Sequence, residues 1–196
     1  MYKKYFKRAI DILVSLIFLP LILILILVVG ILIKLDDGGS VFYFANRRGI
    51  NGNPFNMVKF RSMKEKAPDI RNEDGSTFNS ENDPRITKIG KFLRKTSIDE
   101  IPQLINVLIG DMSLIGPRPN MATKQFDELS MGEQQRVRIK PGITGYSQAF
   151  YRNSISMDEK TKLDNYYIDN VSFLLDMKII LQTLKTVILK ENINAN

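Results

Sequence analysis

Neither cysteine nor histidine occurs in the 196 residues of the chain, and tryptophan is missing as well. The lack of cysteine excludes disulfides and thiolate nucleophiles, and the lack of histidine excludes imidazole bases and His-based triads. Together these absences exclude the usual zinc sites. An enzyme with this sequence must therefore use carboxylates, hydroxyls or lysines, and any metal would be a hard, oxygen-binding ion such as magnesium.

Basic residues outnumber acidic ones, 28 to 21, which gives a formal net charge of +7. Such an excess favours an anionic partner: a phosphorylated substrate, an anionic lipid surface or a nucleic acid. The sequence contains no nucleic-acid-binding motif, and its basic residues are interleaved with acidic ones. We therefore expect no nucleic acid among the partners.

The segment 12–33 contains no charged residue. A helix of this length measures about 33 Å, enough to cross a hydrocarbon core of about 30 Å. Lysines, an arginine and aromatic residues precede it in 1–11, as is typical of the headgroup region. A removable signal peptide would have a shorter apolar core and a small-residue cleavage site. We therefore assign 1–35 to a membrane anchor and 36–196 to a separate domain.

Pro20 lies near the middle of the apolar segment, where it removes a helical hydrogen bond. The segment is then either a kinked spanning helix or a re-entrant helix that turns near Pro20 and leaves on the face it entered. Basic residues flank both ends, and the positive-inside tendency favours the re-entrant course. On the residues alone both courses stay open. We expect Ser15 or a nearby side chain to help bond the carbonyls that the proline leaves free.

The rest of the chain predicts an α+β fold that is mostly helical. Two segments rich in β-formers, 41–45 and 54–60, flank the pair Asn51-Gly52, which is a strong hairpin signal. Towards the C-terminus, from Val171, apolar residues recur at spacings of three and four and predict an amphipathic helix.

Two adjacent carboxylates, Asp99 and Glu100, stand where an apolar, helix-like run begins, and this run should end near Gly110. Ser97 lies three residues before Glu100, which is the spacing of a capping box. Negative charge is also favoured at a helix start. By itself the pair is therefore most often capping chemistry, and a catalytic role needs support from the rest of the chain.

That support comes from a resemblance that covers essentially the whole chain. The matching motifs occupy residues 59–63, 83–87, 90–103, 110–119 and 140–145. In these motifs and their order the sequence resembles the bacterial sugar transferase family, small monotopic phosphoglycosyl transferases that initiate lipid-linked glycan assembly. Leu19-Pro20 stands where the family often has Ser-Pro.

The resemblance implies transfer of a sugar 1-phosphate from a UDP-sugar to undecaprenyl or another polyprenyl phosphate, with release of UMP. It implies that Asp99 is the nucleophile of a covalent aspartyl phosphosugar intermediate. Glu100 would assist catalysis, and both carboxylates would hold magnesium. The implied phosphate-binding residues are Lys59, Arg61, Arg94, Arg118 and Arg152.

The resemblance also implies an N-terminal re-entrant helix-break-helix, with Pro20 and Ser15 at the break. A small cytoplasmic catalytic domain with a β-hairpin and amphipathic interfacial helices would follow. The expected location is the inner (cytoplasmic) membrane of a bacterium, with the catalytic domain facing the cytoplasm. The expected partners are a UDP-sugar, polyprenyl phosphate and membrane lipid.

Two alternatives belong to other classes. The first is a basic, membrane-anchored binding module without catalysis. The second is a polytopic enzyme, which would need several spans where the hydropathy shows one. The sequence does not identify the sugar, and it leaves the oligomeric state open: a homo-oligomer is compatible with it, with the C-terminal helix as a candidate contact.

Overall fold

The structure is a computed structural model and describes residues 1–68, 70, 80, 83–151 and 154–189. The helices are α1 (Lys7–Asp37), α2 (Lys88–Thr96), α3 (Gln103–Ile109), α4 (Met131–Arg136), α5 (Tyr146–Phe150), α6 (Met157–Asp169) and α7 (Phe173–Ile188). The strands are β1 (Phe42–Arg48), β2 (Pro54–Phe60), β3 (Ser113–Ile115) and β4 (Gly142–Thr144). The described chain is therefore mostly helical with a small amount of sheet, which confirms the α+β prediction.

Helix α1 follows a π-helical turn at Tyr2–Phe6 and ends at Gly38, whose φ of 73° is left-handed. Pro20 lies inside this helix without interrupting it. A proline removes a single N–H donor, and the hydrogen bonds on either side can persist. The expected helix-break-helix is therefore not found: a single helix runs from Lys7 to Asp37. The re-entrant course of this helix through the membrane stays a prediction.

Ser15 does not form the hydrogen bond that was expected of it. Its side chain is buried, but its hydroxyl has no hydrogen-bond partner within the described ranges. The prediction that Ser15 bonds a carbonyl freed by Pro20 is therefore wrong for this conformation.

One stripe of α1 is buried and the remaining faces are exposed. Ser15, Ile22 and Val29 are buried at intervals of seven residues, and Gly30 and Ile33 continue the stripe. Large apolar side chains on the other faces are exposed: Leu13, Ile17, Leu23, Ile24, Leu27 and Ile31. The helix is long and apolar enough to cross a membrane. A continuous exposed apolar surface of this extent indicates a lipid environment.

Both ends of α1 bind the same domain. At the first end, Lys7 Nζ lies 2.6 Å from a carboxylate oxygen of Asp176 on α7. At the other end, the Asp36 carboxylate accepts a hydrogen bond of 2.9 Å from the backbone N–H of Ile89, in the first turn of α2. Asp37 pairs with Arg61, which follows β2. The anchor is therefore fastened at both ends.

Strands β1 and β2 form the predicted antiparallel hairpin, with register from Phe42↔Phe60 to Arg48↔Pro54. Its turn uses the Asn-Gly pair in positive-φ conformations, 56° at Asn51 and 82° at Gly52. Phe60 packs in one cluster with Val29 and Ile33 of α1 and with Leu93 of α2. This cluster joins the hairpin to the anchor.

A second, parallel pair of strands has no counterpart in the sequence prediction. Ser113 of β3 is opposite Gly142 of β4, and Ile115 is opposite Thr144. The approach is so close that a Cβ atom on Gly142 would lie 2.1 Å from the backbone nitrogen of Gly116. Only glycine allows the two segments to meet in this way.

Helix α7 is amphipathic as predicted, but its apolar stripe faces outward. Leu174 is 80% and Leu181 63% exposed, whereas Ile179 is fully buried and the polar side chain of Asp176 is turned inward. The ring of Phe173 contacts that of Tyr2, with centroids 6.0 Å apart. The exposed apolar stripe of α7 therefore lies beside the start of the anchor. Its contact with the membrane surface stays a prediction.

Candidate active site

Asp99 and Glu100 lie in a 3₁₀ turn, Ile98–Glu100, between α2 and α3. Ser97 has a left-handed φ of 56° and ends α2, and its side chain makes no cap hydrogen bond. The predicted capping box is therefore wrong, because the backbone at Ser97 belongs to the end of the preceding helix. Helix α3 ends at Gly110 as predicted. The carboxylates are thus not used to cap α3.

Glu100 is held by two cations. Its Oε1 lies 2.5 Å from Lys59 Nζ of β2 and 3.6 Å from Arg118 Nη2. Burial alone would raise the pKa of Glu100, but Lys59 and Arg118 lower it to about 2. Glu100 is therefore ionised and fixed in place over the whole physiological range.

Asp99 is different, because no hydrogen bond or ion pair from the described residues reaches its carboxylate. Burial, and then the neighbouring charge of Glu100, raise the pKa of Asp99 to about 6, against the opposing effect of Lys59, Arg94 and Arg118. At neutral pH the group is ionised but poorly stabilised. A charged carboxylate without protein partners, beside three cations, has the properties of a nucleophile or metal ligand.

Arg94 and Arg118 bring guanidinium groups to this site. Arg94 on α2 donates from Nε to the Ser62 hydroxyl at 2.9 Å, and burial lowers its pKa without removing its charge. The Arg118 side chain is 53% exposed. Both line the cleft that contains Asp99. The structure thus brings together five of the predicted site residues, Lys59, Arg94, Asp99, Glu100 and Arg118.

The expected phosphate-binding role of Arg61 has no support in this geometry. Its guanidinium pairs with Asp37 and donates to the carbonyls of Ser40 at 2.6 Å and Met63 at 2.9 Å. These bonds occupy most of its donors and join the end of α1 to the hairpin. Arg61 is therefore a structural arginine in this conformation. Arg152 lies outside the described residues.

Sequence reasoning missed a buried ion pair behind Arg118. Arg136 Nη2 lies 2.7 Å from an Asp164 carboxylate oxygen and donates to the Arg118 carbonyl at 3.2 Å. The other Asp164 oxygen accepts from the Ser147 hydroxyl at 2.7 Å. No local pattern links residues so far apart in the chain, so the sequence carried no signal for this support.

The donors at this site are carboxylates, which are ligands that magnesium accepts. Within the described ranges, no group of three or more acidic side chains could hold a metal ion. Magnesium is commonly bound by one or two carboxylates together with substrate phosphates. Asp99, whose carboxylate has no partner among the described residues, and the neighbouring Glu100 fit a site in which substrate phosphates complete the ligands. The residues therefore fit magnesium when a phosphorylated substrate completes the ligands.

The cleft has both charged and apolar walls. The charged side chains described above line it. Apolar and aromatic side chains of α1 and the hairpin line it as well: Val14, Phe18, Leu21, Leu25 and Tyr43. Such a cleft suits a molecule with an anionic head and a hydrocarbon tail.

Comparison with known proteins gives one family. The model of the family described as "Bacterial sugar transferase" matches residues 2–190. The chain is 48% identical over 161 residues to the galactosyl transferase CpsE of Streptococcus agalactiae serotype III (strain NEM316), covering 78% of this chain and 36% of that protein. It is 40% identical over 190 residues to the uncharacterized sugar transferase EpsL of Bacillus subtilis (strain 168), covering 95% and 89%.

A third relative carries a more specific name. The UDP-N-acetylgalactosamine-undecaprenyl-phosphate N-acetylgalactosaminephosphotransferase of Aeromonas hydrophila is 40% identical over 189 residues, covering 94% of this chain and 44% of that protein. The chain therefore spans less than half of the streptococcal and Aeromonas relatives but most of the Bacillus one.

The raised pKa of Asp99 predicts the effect of Asp99→Asn on stability. The ionised carboxylate is disfavoured in the fold, so the neutral isostere should raise the melting temperature above about pH 6. The gain should vanish below about pH 4, where the carboxyl is protonated in folded and unfolded chains alike. Thermal unfolding of the detergent-solubilised protein at pH 7.5 and pH 4 measures both effects.

The matched control is Asp37→Asn. Pairing with Arg61 lowers the pKa of Asp37 to about 2, so this change should lower the melting temperature at pH 7.5. A loss of stability in Asp99→Asn at pH 7.5 would contradict the assignment of a disfavoured charge to Asp99.

Proposed function

Since the chain belongs to the bacterial sugar transferase family, we propose that it transfers a sugar 1-phosphate from a UDP-sugar to polyprenyl phosphate, such as undecaprenyl phosphate, with release of UMP. The observation that carries this proposal is the Asp99 carboxylate, which has no protein partner in the described chain and lies among Lys59, Arg94 and Arg118. The name of the Aeromonas relative describes a reaction of this type.

In the first step, an Asp99 oxygen attacks the β-phosphorus of the UDP-sugar. The bond between that phosphorus and the bridging oxygen breaks, and UMP leaves with the electron pair. Lys59 and Arg94 offset the charge on the phosphate oxygens, and the Arg118 guanidinium can bind two of them at once. The product is an aspartyl phosphosugar.

In the second step, an oxygen of the polyprenyl phosphate attacks the same phosphorus. The acyl phosphate bond to Asp99 breaks, the carboxylate is restored, and the lipid-linked diphosphate sugar leaves. Glu100 stays ionised throughout because its pKa is about 2. It therefore holds Lys59 in position and takes no proton, while Asp99 alone changes its covalent state.

Magnesium is the proposed cofactor, held by Asp99 and Glu100 together with phosphate oxygens of the substrate. When bound, it would offset the repulsion between the carboxylate pair and the diphosphate. Lys59 and Arg118 cannot do this alone, because part of their positive charge is offset by Glu100.

The apolar side chains that line the cleft support a lipid acceptor. Val14, Phe18 and Leu21 of the anchor helix line it, and the exposed faces of the same helix require lipid. A prenyl tail could therefore remain in the bilayer while its phosphate reaches Lys59 and Asp99. A nucleotide or a soluble sugar would leave this apolar wall without a partner.

The contacts at both ends of α1 support a re-entrant anchor with the catalytic domain in the cytoplasm. A spanning helix would place its two ends on opposite sides of a core about 30 Å thick. Here Lys7 and Asp36, at opposite ends, each bind the same domain. One water-exposed domain can bind both ends without entering the hydrocarbon only if the ends lie on the same side. The basic residues on both flanks favour the cytoplasmic side.

Covalent labelling tests the function. Without acceptor, the wild type incubated with UDP-galactose, UDP-glucose or UDP-N-acetylgalactosamine should gain the mass of one phosphosugar and release an equal amount of UMP. Asp99→Asn should show neither product, because an amide is a poor nucleophile. Mass spectrometry of the intact protein measures the adduct. The labelling rate should fall as the pH drops below about 6, where Asp99 becomes protonated.

The control for this experiment is Asp158→Asn, an exposed position on α6, which should label like the wild type. Labelling of Asp99→Asn would show that another group is the nucleophile. A wild type that releases no UMP with any of the sugars would favour the binding-module alternative.

The proposed cofactor predicts a dependence on magnesium. Excess EDTA should abolish UMP release, and added magnesium should restore it, while added zinc should not, because the chain lacks cysteine and histidine. Undiminished turnover in EDTA would rule the cofactor out. Circular dichroism in EDTA serves as the control that the fold is intact.

Cysteine accessibility tests the topology, and the cysteine-free parent makes the labelling specific. Lys4 and Ser40 are exposed positions on the two sides of α1. Lys4→Cys and Ser40→Cys should both resist a membrane-impermeant thiol reagent in intact spheroplasts and react after lysis. Reaction of only one of them in intact spheroplasts would show a spanning helix.

A further inference from the structure

The carboxylate of Asp11 is bound inside the protein although it lies on the anchor helix. Asp11 is the last charged residue before the apolar segment and is 4% exposed. Its Oδ1 accepts hydrogen bonds from the backbone N–H of Leu114 at 2.9 Å and from the Ser113 hydroxyl at 3.1 Å. The anchor thus supplies an acceptor to β3, which follows about a hundred residues later in the chain.

Asp11 occupies the place of a missing neighbouring strand. On its paired edge, β3 donates from Ser113 N to the Pro141 carbonyl at 2.8 Å, and Gly116 N just after it donates to the Thr144 carbonyl at 2.9 Å. The Leu114 N–H points to the other edge, where the described residues place no strand. A backbone donor that is partly withdrawn from water needs a partner, and Asp11 is that partner.

Strand β3 leads directly to Arg118, and the connection has little freedom. A Cβ atom on Gly116 would lie 2.5 Å from the Lys140 carbonyl oxygen, so this segment cannot shift towards β4. Pro117 and Pro119 restrict the backbone on both sides of Arg118. A displacement of Leu114 would therefore be passed on to Arg118, which lies 3.6 Å from Glu100.

A second contact fastens the anchor to the other side of the site. Arg8, less than one turn before Asp11, donates to the carbonyls of Val107 at 2.6 Å and Leu108 at 3.0 Å. These carbonyls lie at the negative end of α3, where a cation is favourable. Helix α3 follows the acidic pair. The same stretch of the anchor therefore binds α3, which follows the acidic pair, and β3, which leads to Arg118.

We propose that Asp11 is a positioning residue for the reaction: it fixes β3 and thereby the Arg118 guanidinium relative to Asp99. This inference rests on the proposed function. It follows that the anchor takes part in the first half-reaction, between Asp99 and the UDP-sugar, which involves no lipid. An anchor that served only to meet the lipid acceptor would affect the second half-reaction alone.

The test compares labelling of the full-length chain in detergent, with the UDP-sugar that labels the wild type and without acceptor. Asp11→Leu removes the acceptor at similar volume and should slow labelling by about tenfold or more. Asp11→Asn keeps an oxygen for both hydrogen bonds and should stay within about threefold of the wild type. Ser15→Ala is the matched control on the same buried stripe, and it should label like the wild type.

A double-mutant cycle separates positioning from a general loss of structure. If Asp11 acts through Arg118, Asp11→Leu should slow labelling little further in an Arg118→Ala background. Effects that multiply would overturn the proposal, and so would equal labelling rates in the wild type and Asp11→Leu. If thermal unfolding shows that Asp11→Leu does not fold, Ser113→Ala replaces it in the same cycle. The effects of Ser113→Ala and Arg118→Ala on the labelling rate should then be non-additive. Effects that multiply would again overturn the proposal.

The two proposals fail in different ways. Absence of labelling in the wild type with every UDP-sugar would refute the proposed function, and the positioning role with it. Labelling of the wild type that is insensitive to Asp11→Leu would refute the positioning role alone.

Discussion

The contact between Lys59 and Glu100 is the interaction on which the site depends. Two adjacent carboxylates in a half-buried turn repel each other, and one must be neutralised for the other to stay reactive. Lys59, on β2, lies 2.5 Å from Glu100 and leaves Asp99 without a partner among the described residues. The hairpin, the anchor and α2 share the Phe60 cluster next to this lysine. The packing of the hairpin therefore determines that Glu100 is paired with Lys59 while Asp99 has no partner among the described residues.

Local sequence patterns correctly predicted the structural elements that are determined by a few neighbouring residues. The Asn51-Gly52 turn, the end of α3 at Gly110 and the apolar anchor each depend on a few neighbouring residues, and the structure has all three. The capping box at Ser97 failed although its spacing was right. The left-handed backbone there ends the preceding helix, and a spacing rule contains no information on φ.

Contacts between distant segments could not be predicted in the same way. The pairing of β3 with β4 requires close approach at Gly116 and Gly142, whose glycines look like ordinary turn residues in the sequence. Arg61 belongs to a basic motif, but its actual partner, Asp37, lies at the end of the anchor helix. The family resemblance supplied the set of charged residues at the site, and the folded chain determined which of them are free to meet a substrate.

The carboxylate of Asp176 bears on how the protein is made. It accepts hydrogen bonds of 2.6 Å from the hydroxyls of Tyr2 and Tyr167 and from Lys7 Nζ. Tyr2 and Asp176 are 174 positions apart, so this contact joins two segments that are very distant in the chain. During synthesis the membrane must hold the apolar helix before its protein contacts exist. Contacts between such distant segments carry a high loop-closure cost, so we expect this one to form late in folding, and loss of α7 would remove one attachment of the anchor.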